Sequence, residues 1–445
     1  MRAGLKICKE YPEIVKIWLG SRLAYMVMQP QDIAKLINRP NLLNKDPSFY
    51  SLMAELLGDG ILTCEESKWK VHRKLLARSF SQKILDSFVS IFNEQATDFV
   101  DVLRKNATHK DFPLYMAAIR CHLENACAFF SASTMGVQLN LQTTSNDIAE
   151  TLYEAIQLFG KKIFTLRYHS EFIWKHSNDK KKIEASASKI NELFRRVVNK
   201  KLQDYEEKRK NGNKTYDFDD GSIIQRKVVL DLLLEDSGFS EEELREEINT
   251  IVMAATETSA VTTTSILLCM GLFPEIQDKV YDEVMRVVGP DKNIEYNDVP
   301  KLEYTERVVK ESLRLFPVLA MVGRHVVEDV VIGNYVAPAG TCLVFPILHM
   351  HRSEEHWKDP LKFDPDRFLP ENMADRHPLT YFPFSFGVRN CIGWKYAMMS
   401  QTVLLAHVIR KLRIFTEYKS IEEVETELHA FTRIKGGPKV FVKAR

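Results

Sequence analysis

The stretch from Ser240 to Met270 sets the scale of the fold. Ser240 and Glu243 have the spacing of a capping box, and acidic residues fill the turn that follows, where the helix dipole favours them. Leu244, Ile248, Ile251 and Val252 form an apolar stripe. Beyond them, as far as Met270, the residues are apolar or hydroxyl-bearing all round. A helix without a polar face is a buried helix. Roughly 30 residues at ~1.5 Å each span about 45 Å, with Gly271 and Pro274 placed to end the run. Such a helix needs a large body around it, and a chain of 445 residues, 45% of them hydrophobic, has the material.

The rest of the pattern is mainly helical. Gln31 to Ile37, Trp69 to Phe80, Ile84 to Leu103, Ile148 to Phe164 and Lys180 to Lys208 have helical spacing, with Thr63 and Glu66 as a capping box ahead of the second. Ile14 to Leu19 and Ala24 to Met28 read as strands joined at Gly20-Ser21. His325 to Val331, Tyr335 to Ala337 and Cys342 to Pro346 are short extended runs, with a turn at Pro338-Ala339-Gly340. His356 to Pro383 is irregular, and a last helix follows Cys391 to about Leu412. Lys208 to Gly221 reads as an exposed loop inside the domain. The expected fold is mainly α with a minor β component, over residues 1–445 as one catalytic domain.

Composition narrows the function. A net charge of +1 gives no general attraction to nucleic acid. Seven cysteines, an odd number with no Cys-x-x-Cys pair, fit a reducing compartment better than a disulfide framework. The amino terminus has neither a signal peptide nor an uninterrupted apolar stretch of membrane-spanning length, because Lys16 and Arg22 break Ile14 to Met28.

One segment carries the chemistry: Phe384-Ser-Phe-Gly387-Val-Arg389-Asn-Cys391-Ile-Gly393, followed by a helix. A lone cysteine beside a glycine is ordinarily a packing residue; this ten-residue pattern is more specific. A thiolate at a helix amino end is stabilised by N–H donors and the dipole. As a strongly donating iron ligand it favours O–O cleavage. Gly387 and Gly393 allow a close backbone approach to a flat cofactor. Arg389 suits a carboxylate of that cofactor, and Phe384 can shield the sulfur.

The segment resembles the cysteine loop of cytochromes P450. Four further motifs match in order. Glu311-Ser-Leu-Arg314 resembles the family's Glu-x-x-Arg helix, and Phe363-Asp-Pro-Asp-Arg367-Phe its partner, which implies a structural Glu311–Arg314–Arg367 network. Trp69-Lys-Val-His-Arg73 resembles the helix that holds a haem propionate, with Arg324 of Gly323-Arg324-His325 as another propionate partner. Ala254-Ala255-Thr256-Glu257-Thr258 resembles the acid–alcohol motif of the long helix. There Thr258 can bond back to the Ala254 carbonyl and bend the helix, and Glu257 with Thr258 can relay protons as catalytic residues. Within the family the chain resembles insect microsomal enzymes of the family-four clan. Many of these have glutamate where this chain has Ala254, and its absence implies non-covalent haem b, with Cys391 as the metal ligand. The usual long-helix glycine is Ala255 here.

The resemblance implies a monooxygenase that inserts one oxygen atom of O2 into a lipophilic substrate: a fatty acid, terpenoid, steroid or xenobiotic. NADPH-cytochrome P450 reductase would be the electron donor, with cytochrome b5 as an optional second one. The implied location is the cytosolic face of the endoplasmic reticulum membrane, for a chain lacking the usual N-terminal anchor. Ala254, Ala255, Val318, Met321 and Phe431 are the expected substrate-pocket positions. A haem-thiolate isomerase or dehydratase and a non-catalytic haem or lipid carrier are the alternatives. The Glu257–Thr258 pair argues against both.

Overall fold

The computed structural model describes residues 2–19, 22–107, 109, 111–130, 147–210, 229–230, 233 and 238–445. Its axis is the helix Glu241–Leu272, capped by the Ser240–Glu243 box. Hydroxyl groups are tolerated all round this helix because they bond within it. Thr256 donates to the Val252 carbonyl at 2.7 Å, Thr258 to Ala254 at 2.6 Å, Thr262 to Thr258 at 2.8 Å and Ser265 to Val261 at 3.0 Å. These four hydroxyls are satisfied without an external partner, so that much of the helix surface packs as if apolar. By composition it is also long and apolar enough to span a bilayer, but it is the core of the protein. It ends at Leu272, between Gly271 and Pro274 as expected. A Cβ at Gly271 would meet the Phe415 carbonyl carbon at 2.9 Å, so the glycine lets the strand Leu412–Thr416 cross against the last turn.

Helices Val89–Asn106, Leu114–Phe130, Asp147–Phe164, Asn178–Lys210, Glu303–Leu315 and Trp394–Lys411 surround the axis. Leu114–Phe130 has no counterpart among the expected elements: its apolar residues carry no strong one-sided pattern because it is buried on most sides. The strand Arg22–Val27 sits slightly earlier than expected, pairing antiparallel with Ile14–Leu19. It also pairs in parallel with Cys342–Phe345, which pairs antiparallel with Val322–His325. This four-stranded sheet ties the amino end of the chain to the region after residue 320. Gly20, Ser21 and residues 211–221 of the expected loop lie outside the described residues. The expected Thr63–Glu66 capping box does not form. Thr63 donates to the Gly58 carbonyl at 2.7 Å, and the Glu66 amide donates to Asn44 Oδ1 at 3.0 Å, so that helix is capped from 22 residues away.

Beneath this body lies the irregular segment after Arg352, held by buried charge. Arg314 donates to both Glu311 carboxylate oxygens at 2.7 and 2.8 Å, and to the carbonyls of His351, Pro360 and Lys362. The Asp364 amide donates to Glu311 at 2.9 Å. Arg367 lies 3.4 Å from the same carboxylate, while its Nη2 donates to the Asp359 carbonyl at 2.8 Å. Glu311 and Arg314 are fully buried. Arg314 stacks on Trp357, as does Arg376 from the same segment.

Removing one partner of a buried pair leaves an uncompensated charge, at about 3–5 kcal/mol. Glu311→Ala and Arg314→Ala are expected to fall in that range, and Arg367→Ala well below it because its main bond is to a carbonyl. Thermal melting of the three variants checks the order, and equal losses would contradict it. His351 adds a pH dependence. Its Nε2 accepts from the Phe382 amide at 2.9 Å and therefore carries no proton. Burial, and then Arg314, hold its pKa down at about 3 against an ordinary 6.5. A depressed folded-state pKa stabilises the fold above the unfolded value, and that stability drains as pH falls from 6.5 toward 3. Melting temperature should be flat above neutrality and decline on acidification, with a shallower slope in His351→Gln.

Candidate active site

Between the central helix and the cysteine loop is a cavity of about 340 Å³. Of the seven cysteines only Cys391 presents surface, and it lines this cavity. The loop that holds it is closed by the Cys391 amide donating to the Phe384 carbonyl at 2.9 Å, and Ser385 and Gly387 both take positive φ. Gly387 does not line the cavity. A Cβ there would meet Asn38 Oδ1 at 2.1 Å, and that oxygen accepts from the Val388 amide at 3.0 Å. The glycine therefore serves a clasp to the amino-terminal segment. Gly393 lines the cavity and caps the helix Trp394–Lys411. Burial pushes the Cys391 thiol above its ordinary value, opposed by the Gly393 amide, Arg73 and Lys45.

Ala254, Ala255 and Thr258 form the face of the central helix toward the cavity, with Val318, Met321 and Phe431 in the adjoining wall. Thr258 makes the bond to Ala254 that its position implies. Glu257 does not reach the cavity. Its carboxylate is buried on the other side of the helix, accepting from the Tyr115 hydroxyl and from Arg433. The acid and the alcohol of the expected relay therefore point apart.

Three cations, Lys45, Arg73 and Arg389, stand among the described lining residues, which include no carboxylate. Arg389 lies on the Trp69 ring, 4.6 Å from its centre, and donates to the carbonyls of Leu43 and Cys64 at 2.9 and 3.0 Å. Arg73 donates to the Asn390 carbonyl and side chain at 2.9 and 2.8 Å. Both thus brace the cysteine loop, a role that motif spacing does not reveal. Arg324 lies fully buried behind the wall. It donates to the Gly323 carbonyl at 3.1 Å, but its Nε and Nη2 have no partner. Lys45, which the motifs also missed, sits 4.8 Å over the Tyr50 ring, and burial with Arg324 and Arg389 drives its pKa well below the ordinary value.

A buried guanidinium with free donors beside a second unneutralised cation calls for an anion. A sulfur open to an apolar chamber calls for a soft metal. One group that meets both demands is a flat, mostly apolar macrocycle with carboxylates at one edge and iron at its centre.

The comparisons with known proteins agree. The family model for cytochrome P450 matches residues 5–441. The chain belongs to the cytochrome P450 family. It is 31% identical to cytochrome P450 4c21 of Blattella germanica over 93% of this chain and 82% of that one. It is 30% identical to cytochrome P450 4V2 of Homo sapiens over 97% and 82%. The crystal structure of the cytochrome P450DA heme domain superposes with a TM-score of 0.80 at 21% identity, covering 100% of this chain and 92% of that one, and so shares its fold. The enzyme is a haem-thiolate monooxygenase with non-covalent haem b. The residues that would hold it are Cys391 for the iron and Arg324 with Lys45 for the carboxylates, while Arg73, Arg389 and Trp69 meet the cysteine loop and the segments beside it. The bound haem supplies oxygen activation, which the thiolate assists by electron donation. Cys391→Ala is expected to lose the red-shifted Soret band of a thiolate-ligated ferrous carbon-monoxide complex. Persistence of that band would remove Cys391 as the ligand.

Proposed function

We propose that this chain is a single-domain monooxygenase of lipophilic substrates, supplied with electrons from NADPH by a flavoprotein reductase at the endoplasmic reticulum membrane. The observation that carries the substrate class is the cavity wall. Leu56, Leu62, Ile156, Phe159 and Phe431 are apolar, and the Thr258 hydroxyl is the polar group that the acid–alcohol motif contributes to it. That hydroxyl supports oxygen chemistry over an isomerase, although with Glu257 turned away the argument rests on Thr258 alone.

Electron entry favours the side of Cys391. Where Arg73 meets Asn390, the helix Glu66–Ala77 exposes Lys70, Val71 and Lys74, and the loop exposes Phe386, Val388 and Trp394. Lys395 lies 5.6 Å from the centre of the Trp394 ring. Lys68 is committed to Asp59 and Glu246 and takes no part. Basic groups around an apolar centre suit an acidic protein partner, with the charges steering encounter. Membrane contact is supported by a second surface. Leu166 and Phe172 are 71% and 74% exposed beside Phe164 and Ile173, with Arg167 and Lys175 exposed among them. Apolar side chains ringed by cations suit an anionic lipid surface.

NADPH with reductase should be required for oxidation of a fatty acid or terpenoid probe, and turnover without either would favour the isomerase. Lys70→Glu with Lys74→Glu should slow iron reduction about fivefold at low salt, and less as salt rises. Peroxide-driven turnover should persist; its equal loss would assign the lysines to folding. Leu166→Glu with Phe172→Glu should cut co-sedimentation with phosphatidylserine vesicles about tenfold, and unchanged sedimentation would remove this surface from the membrane.

A further inference from the structure

Glu257 lies between two residues that line the cavity, Ala255 and Thr258 being its near neighbours in sequence, yet its own side chain faces away. It is a buried carboxylate that accepts from the Tyr115 hydroxyl and from Arg433. The Arg433 guanidinium lies 4.6 Å from the ring centre of Tyr115 and 5.2 Å from that of Tyr153. Four elements therefore meet at one carboxylate: the central helix, the helices Leu114–Phe130 and Asp147–Phe164, and the strand Thr432–Ile434.

That strand is the weakest of the four. It pairs only with Thr426–Leu428, three residues against three, across the turn that presents Ala430 and Phe431 to the cavity. A hairpin of that length does not hold its own position in water. Backbone bonds from Thr432 to the Val318 carbonyl at 2.8 Å and from His429 to the Phe431 carbonyl at 3.1 Å help. The side chain that anchors the strand to the core is Arg433. Burial opposes its charge, but the Glu257 carboxylate and Tyr115 outweigh burial and hold its pKa above the ordinary value. Burial and Glu257 also push the Tyr115 hydroxyl up, keeping it a donor. A buried pair closed on both sides opens rarely, because either charge alone would be strongly penalised.

We infer that Glu257, Arg433 and Tyr115 form a latch that fixes Phe431 in the cavity wall and thereby limits the width of substrate the enzyme accepts. Glu257 is then a positioning residue. This rests on the reading of the cavity as the haem and substrate chamber.

The test uses the haem-loaded enzyme and two iron-binding probes read by the Soret shift, imidazole and the much wider clotrimazole. The readout is the ratio of the clotrimazole Kd to the imidazole Kd. Arg433→Gln and Glu257→Gln should each lower that ratio about tenfold as Phe431 leaves the wall, and Tyr115→Phe about threefold. Arg433→Lys, which keeps the charge, should restore most of it. A general loss of stability would weaken both probes alike and leave the ratio unchanged, which overturns the latch. A role confined to proton delivery would also leave the ratio unchanged in Glu257→Gln and overturns it too. Should the charge variants lose haem, Phe431→Ala and Tyr115→Phe keep the ion pair, and an unchanged ratio in both is equally decisive. Absence of any Soret shift with imidazole in the unmodified enzyme would instead defeat the reading of the chamber itself.

Discussion

Glu311 and Arg314 have no contact with water, and the half of the molecule beneath the cavity hangs on them. Their bidentate pair is local, three residues apart on one helix. Its consequence is long-range, because the remaining donors and lone pairs must be filled by whatever passes nearby. The carbonyls of His351, Pro360 and Lys362 and the amide of Asp364 fill them. A segment with only short single-turn helices is thereby given fixed anchor points. From these the chain runs through Phe382, whose amide is held by His351, into the cysteine loop. Desolvating such a pair yields little net stability, but breaking it is expensive. The pair acts mainly as a specification of where the loop must be.

The same economy of polar groups governs the central helix. It is buried along nearly its whole length, so each of its hydroxyls and charges needs a partner. Thr256, Thr258, Thr262, Thr264 and Ser265 find theirs in their own backbone, while Thr263 reaches across to Gln401 and His122. Thr258 is the informative case, because its bond to Ala254 leaves the hydroxyl oxygen at the cavity and does not lock it into a neighbouring helix. Glu257 has no intrahelical solution. A carboxylate needs donors from elsewhere, and Tyr115 and Arg433 come from segments 142 and 176 residues away.

That contrast marks what could be read from the residues and what could not. The capping box at Ser240, the helix that follows, the Thr258 back-bond, the Glu311–Arg314 pair and the position of Cys391 all depend on spacing along the chain, and the structure has them. The cap of Glu66 by Asn44, the clasp of Gly387 on Asn38, the bonds of Arg73 and Arg389 to backbone carbonyls and the place of Lys45 depend on distant segments meeting. Motif spacing says that an arginine is near the cofactor, but not whether a carbonyl has already taken its donors. The helix Leu114–Phe130 escaped for a related reason: wrapped by neighbours, it has no amphipathic pattern to detect.

Orphaned donors are what separate a cofactor ligand from a brace. Arg73, Arg324 and Arg389 all stand in the cavity wall or behind it, and sequence pattern treats them alike. Arg389 has three carbonyls within reach and Arg73 has an asparagine. Arg324, the most deeply buried of the three, keeps Nε and Nη2 without partners. Other arginines here leave Nε unpartnered, but among the described residues Arg324 alone also leaves an Nη, which makes it the strongest candidate for an anion partner. An anion arriving with the cofactor would fill that place. Binding of the cofactor and completion of the fold around Arg324 are therefore one equilibrium.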